Sequence, residues 1–247
     1  MDLKDFLSVP RLETAKRVLC VQPHPDDNEI AAGGTIAWLA DLGVDVVYLT
    51  VTDGCVGTQD ASITPEELAA TRRAEAERSA RHLGVSDLLW LGYHDGDVPE
   101  ERELTAAIMG VVRTVKPDIV LAPDPWLPYE GHRDHRLTGL AVAGACILSG
   151  FPHARSEPHA PPHGVSAVAF YCTTRANTWI NVDKTWHRKI EAIKMHASQV
   201  SQSWTTLFMY VDMKAREVAK GRGCARAEAF KVIPTILLHF NVDTEGY

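Results

Sequence analysis

The sequence has no Cys-x-x-Cys pair, no Gly-x-Gly-x-x-Gly after its first strand-like segment and no apolar run approaching 18 residues. The first absence, with five scattered cysteines (Cys20, Cys55, Cys146, Cys172 and Cys224), argues against a thiolate metal site and a disulfide framework. The cysteines read instead as buried small hydrophobes of a protein in a reducing cytoplasm. The second removes the phosphate-cradling fingerprint of a dinucleotide-binding fold. The third leaves no candidate membrane span. No Lys/Arg-rich stripe stands out and the formal net charge is -7, so nucleic acid is a poor partner. The N-terminal stretch MDLKDFLSVPRLETAKR has no apolar h-region and is not read as a secretory leader.

What the chain does have is an ordinary globular balance. Hydrophobic residues make up 45% and charged residues 23%, enough to bury a full core over 247 residues. Residues 17–22 (RVLCVQ), 44–50 (VDVVYLT), 87–91 (DLLWL) and 118–122 (DIVLA) read as short buried strands. Helices are expected over 29–42, from the Thr64-Pro65-Glu66-Glu67 capping signature to about His82, over 100–115 and from about Asp134 to Leu148. Gly33 and Gly34 weaken the first helix and suggest a close packing contact. Gly84 serves as a helix stop. Strand and helix alternate, which predicts an α/β, Rossmann-like, mostly parallel sheet with helices on both faces. The pattern breaks at the Pro- and His-rich stretch 150–164. An elaborated C-terminal part follows: a strand near 166–171, helices near 183–196 and 203–220, and an apolar segment 231–240. No repeat or long linker divides the chain, so residues 1–247 are read as one domain.

Two polar clusters stand out. The first strand ends in Pro23-His24-Pro25-Asp26-Asp27-Asn28, and the fourth is followed by Gly131-His132-Arg133-Asp134-His135. Either alone has a bland explanation: an Asx-rich helix start for the first, a solvated His-x-x-His face for the second. Both follow parallel strands, and ligands in such sheets sit beyond the carboxyl ends of the strands. Two histidines and a carboxylate make a three-ligand set for zinc, with the fourth position left for water. Other divalent ions suit the same nitrogen and oxygen donors. A neighbouring carboxylate can then accept a proton. Which of Asp26 and Asp27 does which is left open by the residues themselves.

These motifs resemble the PIG-L/LmbE-like N-acetylglucosaminyl deacetylase family, whose marks are His-Pro-Asp-Asp after the first strand and a later His-x-Asp-His. Gly33-Gly34-Thr35-Ile36, Thr52-Asp53-Gly54, Arg72-Arg73, the run Ala122–Glu130, His196-x-x-Gln199 and the stretch ending at His239 are closest to its diacetylchitobiose-deacetylating branch. The resemblance implies that His24, Asp27 and His135 bind Zn2+ and that Asp26 is the general base. It implies that His132 stabilises the oxyanion or helps protonate the leaving amine, and that Arg72 and Asp95 hold the sugar. It also implies a homo-oligomer, such as the hexamer of that branch, in which His239 reaches a neighbouring active site. The expected substrate is N-acetylglucosamine or a short chitooligosaccharide such as diacetylchitobiose. The alternatives are a thiol-cofactor precursor, an antibiotic amino sugar, or no catalysis at all, only metal or sugar binding. Arg133 replaces the usual proline of the second motif and adds positive charge there.

Other residues carry competing readings. Arg72 and Arg73 suit a solvated helix face, pairing with Glu75 and Glu77. Asp95 and Asp97 flank Gly96 and suit a turn. Trp126 and Tyr129 suit either core anchors or a wall against which a pyranose stacks. His153, His159 and His163 suit a solvated loop.

Overall fold

The computed structural model describes residues 7–247; the first six residues of the stretch read as leaderless lie outside the described residues. Seven strands form one sheet: β1 (Arg17–Gln22), β2 (Asp45–Thr52), β3 (Asp87–Tyr93), β4 (Ile119–Pro123), β5 (Ala167–Tyr171), β6 (Thr178–Asn181) and β7 (Ala227–Pro234). Their order is β3-β2-β1-β4-β5-β7-β6. The pairs β2/β3, β1/β4 and β4/β5 are parallel, with Leu49 opposite Leu89, Cys20 opposite Leu121 and Leu121 in turn opposite Ala169. β5 and β7 pair antiparallel, Ala169 opposite Val232. The sheet is thus mostly parallel, as the alternation predicts. Every residue of β4 and β5 is buried, which is why they read as unbroken apolar runs.

Seven α-helices accompany the sheet among the described residues: α1 (Asp27–Asp41), α2 (Pro65–Leu83), α3 (Glu101–Val115), α4 (Arg133–Leu148), α5 (Trp186–Met195), α6 (Ala197–Val200) and α7 (Trp204–Ala219). The capping signature at Thr64 forms as a full reciprocal box, and Gly84 stops α2 at φ 86°. No helix among the described residues is long and apolar enough to cross a membrane. β6 and α6 are not anticipated by the sequence pattern. The apolar segment 231–240 divides into the end of β7 and a 3-10 turn over Thr235–Leu238.

The chain clusters into two compact units. One comprises the chain up to Val21, Pro99–Thr178 and Ala229–Tyr247. In it α3 packs on α4. Arg113 of α3 is fully buried and donates to the carbonyls of Ser149, Phe151 and Ala154 and to Ser156 Oγ. One guanidinium thereby organises much of the Pro- and His-rich stretch that reads as a loop. His163 is tied down as well, its Nε2 lying 2.7 Å from the Pro117 carbonyl.

The other unit comprises Gln22–Val98 and Trp179–Glu228. Here α5 packs on α1 and α2. Gly34 is the close contact expected in α1: a Cβ there would come within 2.8 Å of Val182. Beside it, Glu228 accepts the backbone N–H groups of Gly34 and Thr35 and pairs with Lys189 at 2.5 Å, both charges being almost fully buried. The reading of all five cysteines as buried needs correction. Cys20, Cys55 and Cys146 are buried, whereas Cys172 is exposed and Cys224 half-buried, because both lie in irregular segments outside the apolar layers.

Candidate active site

The loop leaving β1 is fixed by its own strand end. Gln22 donates to Thr50 Oγ1 and accepts the N–H of Asn28, clamping β1 to β2 and to the first turn of α1. The Pro23 carbonyl accepts both the N–H and the hydroxyl of Thr52. Between these anchors Asp26 sits at φ 121°, a backbone conformation costly for a non-glycine residue. It makes no side-chain cap for α1, so an ordinary helix start does not account for it. Asp27 does have a local role, its Oδ2 accepting the N–H of His24 at 2.9 Å.

The two adjacent carboxylates point differently. Asp27 Oδ2 is 3.3 Å from His24 Nδ1, while Asp26 Oδ2 is 3.4 Å from the Arg72 guanidinium. Burial, followed by the charge of Asp27, pushes the Asp26 carboxyl up to about 7 despite Arg72 and His196, with Glu29 adding to the rise. A carboxyl brought to that range is suited to exchange protons near neutrality.

Arg72 does not lie on a solvated face. It is buried and donates to the carbonyls of Gly54 and Pro25. Gly54 and Gly57 leave room for it: a Cβ at either would come within 2.7 Å of its guanidinium. Arg73 keeps the surface role, 3.6 Å from Glu77. Asp95 is also buried rather than a simple turn residue. Its Oδ1 is 3.1 Å from His24 Nε2 and its Oδ2 accepts the N–H of Val56. Burial works against its ionisation, but the hydrogen bond and charge of His24 outweigh this and hold the carboxyl below its usual value. Asp97 closes the turn with His94.

His196, like His82, His94 and His187 of this unit, shows no partner set in the sequence. It is fully buried, 3.7 Å from Glu29 Oε2. Burial pushes its pKa down, yet Glu29, with Asp26 and Glu75, raises it on balance. The motif His196-x-x-Gln199 is its sequence signal, but Glu29 and Glu75 are too distant along the chain for spacing to reveal.

In the first unit the loop after β4 is built similarly. Asp124 donates its N–H to the Tyr171 carbonyl and accepts that of Trp126. Trp126 packs edge-on against Phe170 at 5.5 Å while remaining 57% exposed, so it is half anchor and half open ring. Tyr129 takes φ 67° and turns its side chain wholly outward. α4 then starts hard against the end of β4: a Cβ on Gly139 would come within 2.5 Å of the Pro123 carbonyl. His132 caps α4, its Nδ1 accepting the N–H of Asp134, and its ring stacks on that of His135 at 4.9 Å. Asp134 is fully buried. Arg133 is 3.1 Å from Glu100, which offsets its charge. His239 is exposed, its ring 6.2 Å from that of Phe240.

Fold and residues together define an α/β protein with imidazole and carboxylate groups displayed after parallel strands, the class in which metal-assisted hydrolases occur. The chain belongs to the PIG-L family: residues 19–146 match that family, described as GlcNAc-PI de-N-acetylase. It is 41% identical to the diacetylchitobiose deacetylase of Thermococcus kodakarensis, over 95% of this chain and 90% of the relative. It is 30% identical to a probable N-acetyl-alpha-D-glucosaminyl L-malate deacetylase 2 of Bacillus anthracis, over 79% of this chain and 87% of the relative. Among solved structures, it resembles the N,N'-diacetylchitobiose deacetylase from Pyrococcus horikoshii in complex with an inhibitor. The TM-score is 0.92 at 37% identity, covering 99% of this chain and 95% of the other.

Proposed function

We propose that the chain is a zinc-dependent deacetylase, its two units acting as one catalytic domain on N-acetylglucosamine or short chitooligosaccharides such as diacetylchitobiose. The Thermococcus and Pyrococcus relatives are named diacetylchitobiose deacetylases. The reading rests on one observation: at the end of β1, Asp27 Oδ2 lies 3.3 Å from His24 Nδ1, two metal-ligating groups turned towards each other, to which the family likeness adds His135. β1 and β4 are parallel neighbours, so the loops that leave them begin side by side. Two imidazoles and one carboxylate fit a catalytic zinc ion.

When bound, the ion would lower the pKa of a water towards roughly 7 and polarise the acetyl carbonyl. Asp26 accepts the proton of the attacking water, its carboxylate held by Arg72. His132 receives a backbone N–H at Nδ1, so its neutral ring carries the proton at Nε2 and can donate it. That donor serves the developing oxyanion, where one well-placed hydrogen bond is worth on the order of 3 kcal/mol. The C–N bond then breaks, the amine leaves with a proton and acetate follows. Arg72 and Asp95 support the sugar end of the site, and Trp126 offers its exposed ring to a pyranose face. A homo-oligomer in which the exposed His239 reaches a neighbouring copy, and a cytoplasmic location, belong to the same reading.

The test is acetate release from N-acetylglucosamine and diacetylchitobiose, before and after chelation and with zinc restored. Activity on diacetylchitobiose that is lost on chelation and regained with zinc is the expected result. Turnover indifferent to chelation, in protein shown to be stripped of metal, refutes the reading.

A further inference from the structure

Glu130 lies between two features that sequence spacing does not connect. The left-handed backbone of Tyr129 throws that ring outward and brings the Glu130 side chain back towards α4, leaving it only 21% exposed. One oxygen, Oε1, accepts the N–H of His132 at 2.7 Å, which satisfies the helix start. The other, Oε2, lies 3.4 Å from His135 Nδ1. Capping the helix requires only the first oxygen. The second faces an imidazole one turn into the helix, whose ring is stacked on that of His132.

Metal-bound histidines commonly give their other ring N–H to a carboxylate, which fixes tautomer and ring orientation. Resting on the metal reading above, we propose that Glu130 is a positioning residue for His135. It holds the proton at Nδ1, so that His135 meets the ion through Nε2. His132 and His135 would then be set by one carboxylate acting on two atoms, the backbone of the first and the ring of the second. The strained turn at Tyr129 has a purpose in this arrangement, because a regular extended residue there would not return Glu130 to the helix start.

Glu130→Gln tests this directly. Its amide oxygen can still cap His132, but its NH2 then donates to His135 Nδ1 and moves the ring proton to Nε2. Zinc affinity is read by competition with a chelating dye, alongside the thermal midpoint of the metal-free protein. A 10–100-fold loss of affinity with an unchanged midpoint is expected. A role in capping alone is kept by the amide oxygen and leaves both zinc affinity and midpoint as they were; unchanged affinity overturns the proposal.

Where the variant folds poorly, the zinc-loaded parent decides, through a proton–nitrogen correlation spectrum of its histidines. A proton on Nδ1 of His135 supports the proposal and one on Nε2 overturns it. A parent that binds no zinc defeats the metal reading itself, and is told apart because the parent, not the variant, fails.

Discussion

Replacing Asp26 with asparagine should make the metal-free protein more stable while abolishing hydrolysis. The carboxyl rises from 3.8 to about 7 on folding, chiefly through burial and then through repulsion from Asp27. A group raised in this way contributes stability that is complete below pH 3.8 and is lost as pH climbs through about 7. Each pH unit of the gap is worth about 1.4 kcal/mol, so ionising Asp26 costs the fold on the order of 4 kcal/mol at pH 8. Asparagine stays neutral and is among the residues most tolerant of positive φ. Against this, Arg72 loses its carboxylate but keeps the carbonyls of Gly54 and Pro25. The net gain at pH 8 should therefore be roughly 1–4 kcal/mol. At pH 5 it should be smaller, since the parent carboxyl is then mostly protonated. Urea unfolding of chelator-treated parent and variant at both pH values measures the difference, and acetate release with zinc restored measures the lost activity. A variant less stable than the parent at pH 8, or a gain equal at the two pH values, refutes the electrostatic reasoning.

His135→Ala should lower the zinc content per chain, measured by elemental analysis, whereas Asp26→Asn should retain the metal. Gly34→Ala should destabilise by about 1–3 kcal/mol, seen as a lower denaturation midpoint, because the new methyl meets Val182 at 2.8 Å. Lys189→Met should cost about 3–5 kcal/mol by stranding Glu228 in the interior, and pairing it with Glu228→Leu should recover part of that loss.

The strands β1, β2, β4 and β5 were legible because burial on both faces makes them continuous apolar runs, and α2 because its cap and stop are local chemistry. β6 was not: it is four residues long and mostly unburied, so it carries no clear period. The two polar loops were expected to act together because each follows a parallel strand. What could not be read was how individual charges are spent. Arg72 looks solvated until Pro25 and Gly54 close over it, 47 and 18 residues back along the chain. Asp95 looks like half of a turn until His24 meets it. His196 shows no partner because Glu29 and Glu75 reach it only through the packing of α5 and α6 on earlier helices. Asp26 and Asp27 are chemically equivalent in sequence; the structure sets Asp26 against Arg72 and Asp27 against His24.

Arg113 carries a different consequence. It holds the 150–164 stretch largely by main-chain oxygens, and every amino acid supplies one. Apart from Ser156 and His163, whose side chains are themselves bonded, that stretch is therefore under little obligation to keep its side chains, provided the chain retains its path. Substitutions could accumulate there, altering the local surface while the anchor in α3 stays unchanged. An engineer seeking a tolerant place for new sequence would find it at the exposed positions of this segment, away from Ser156 and His163, and would leave its anchor in α3 untouched.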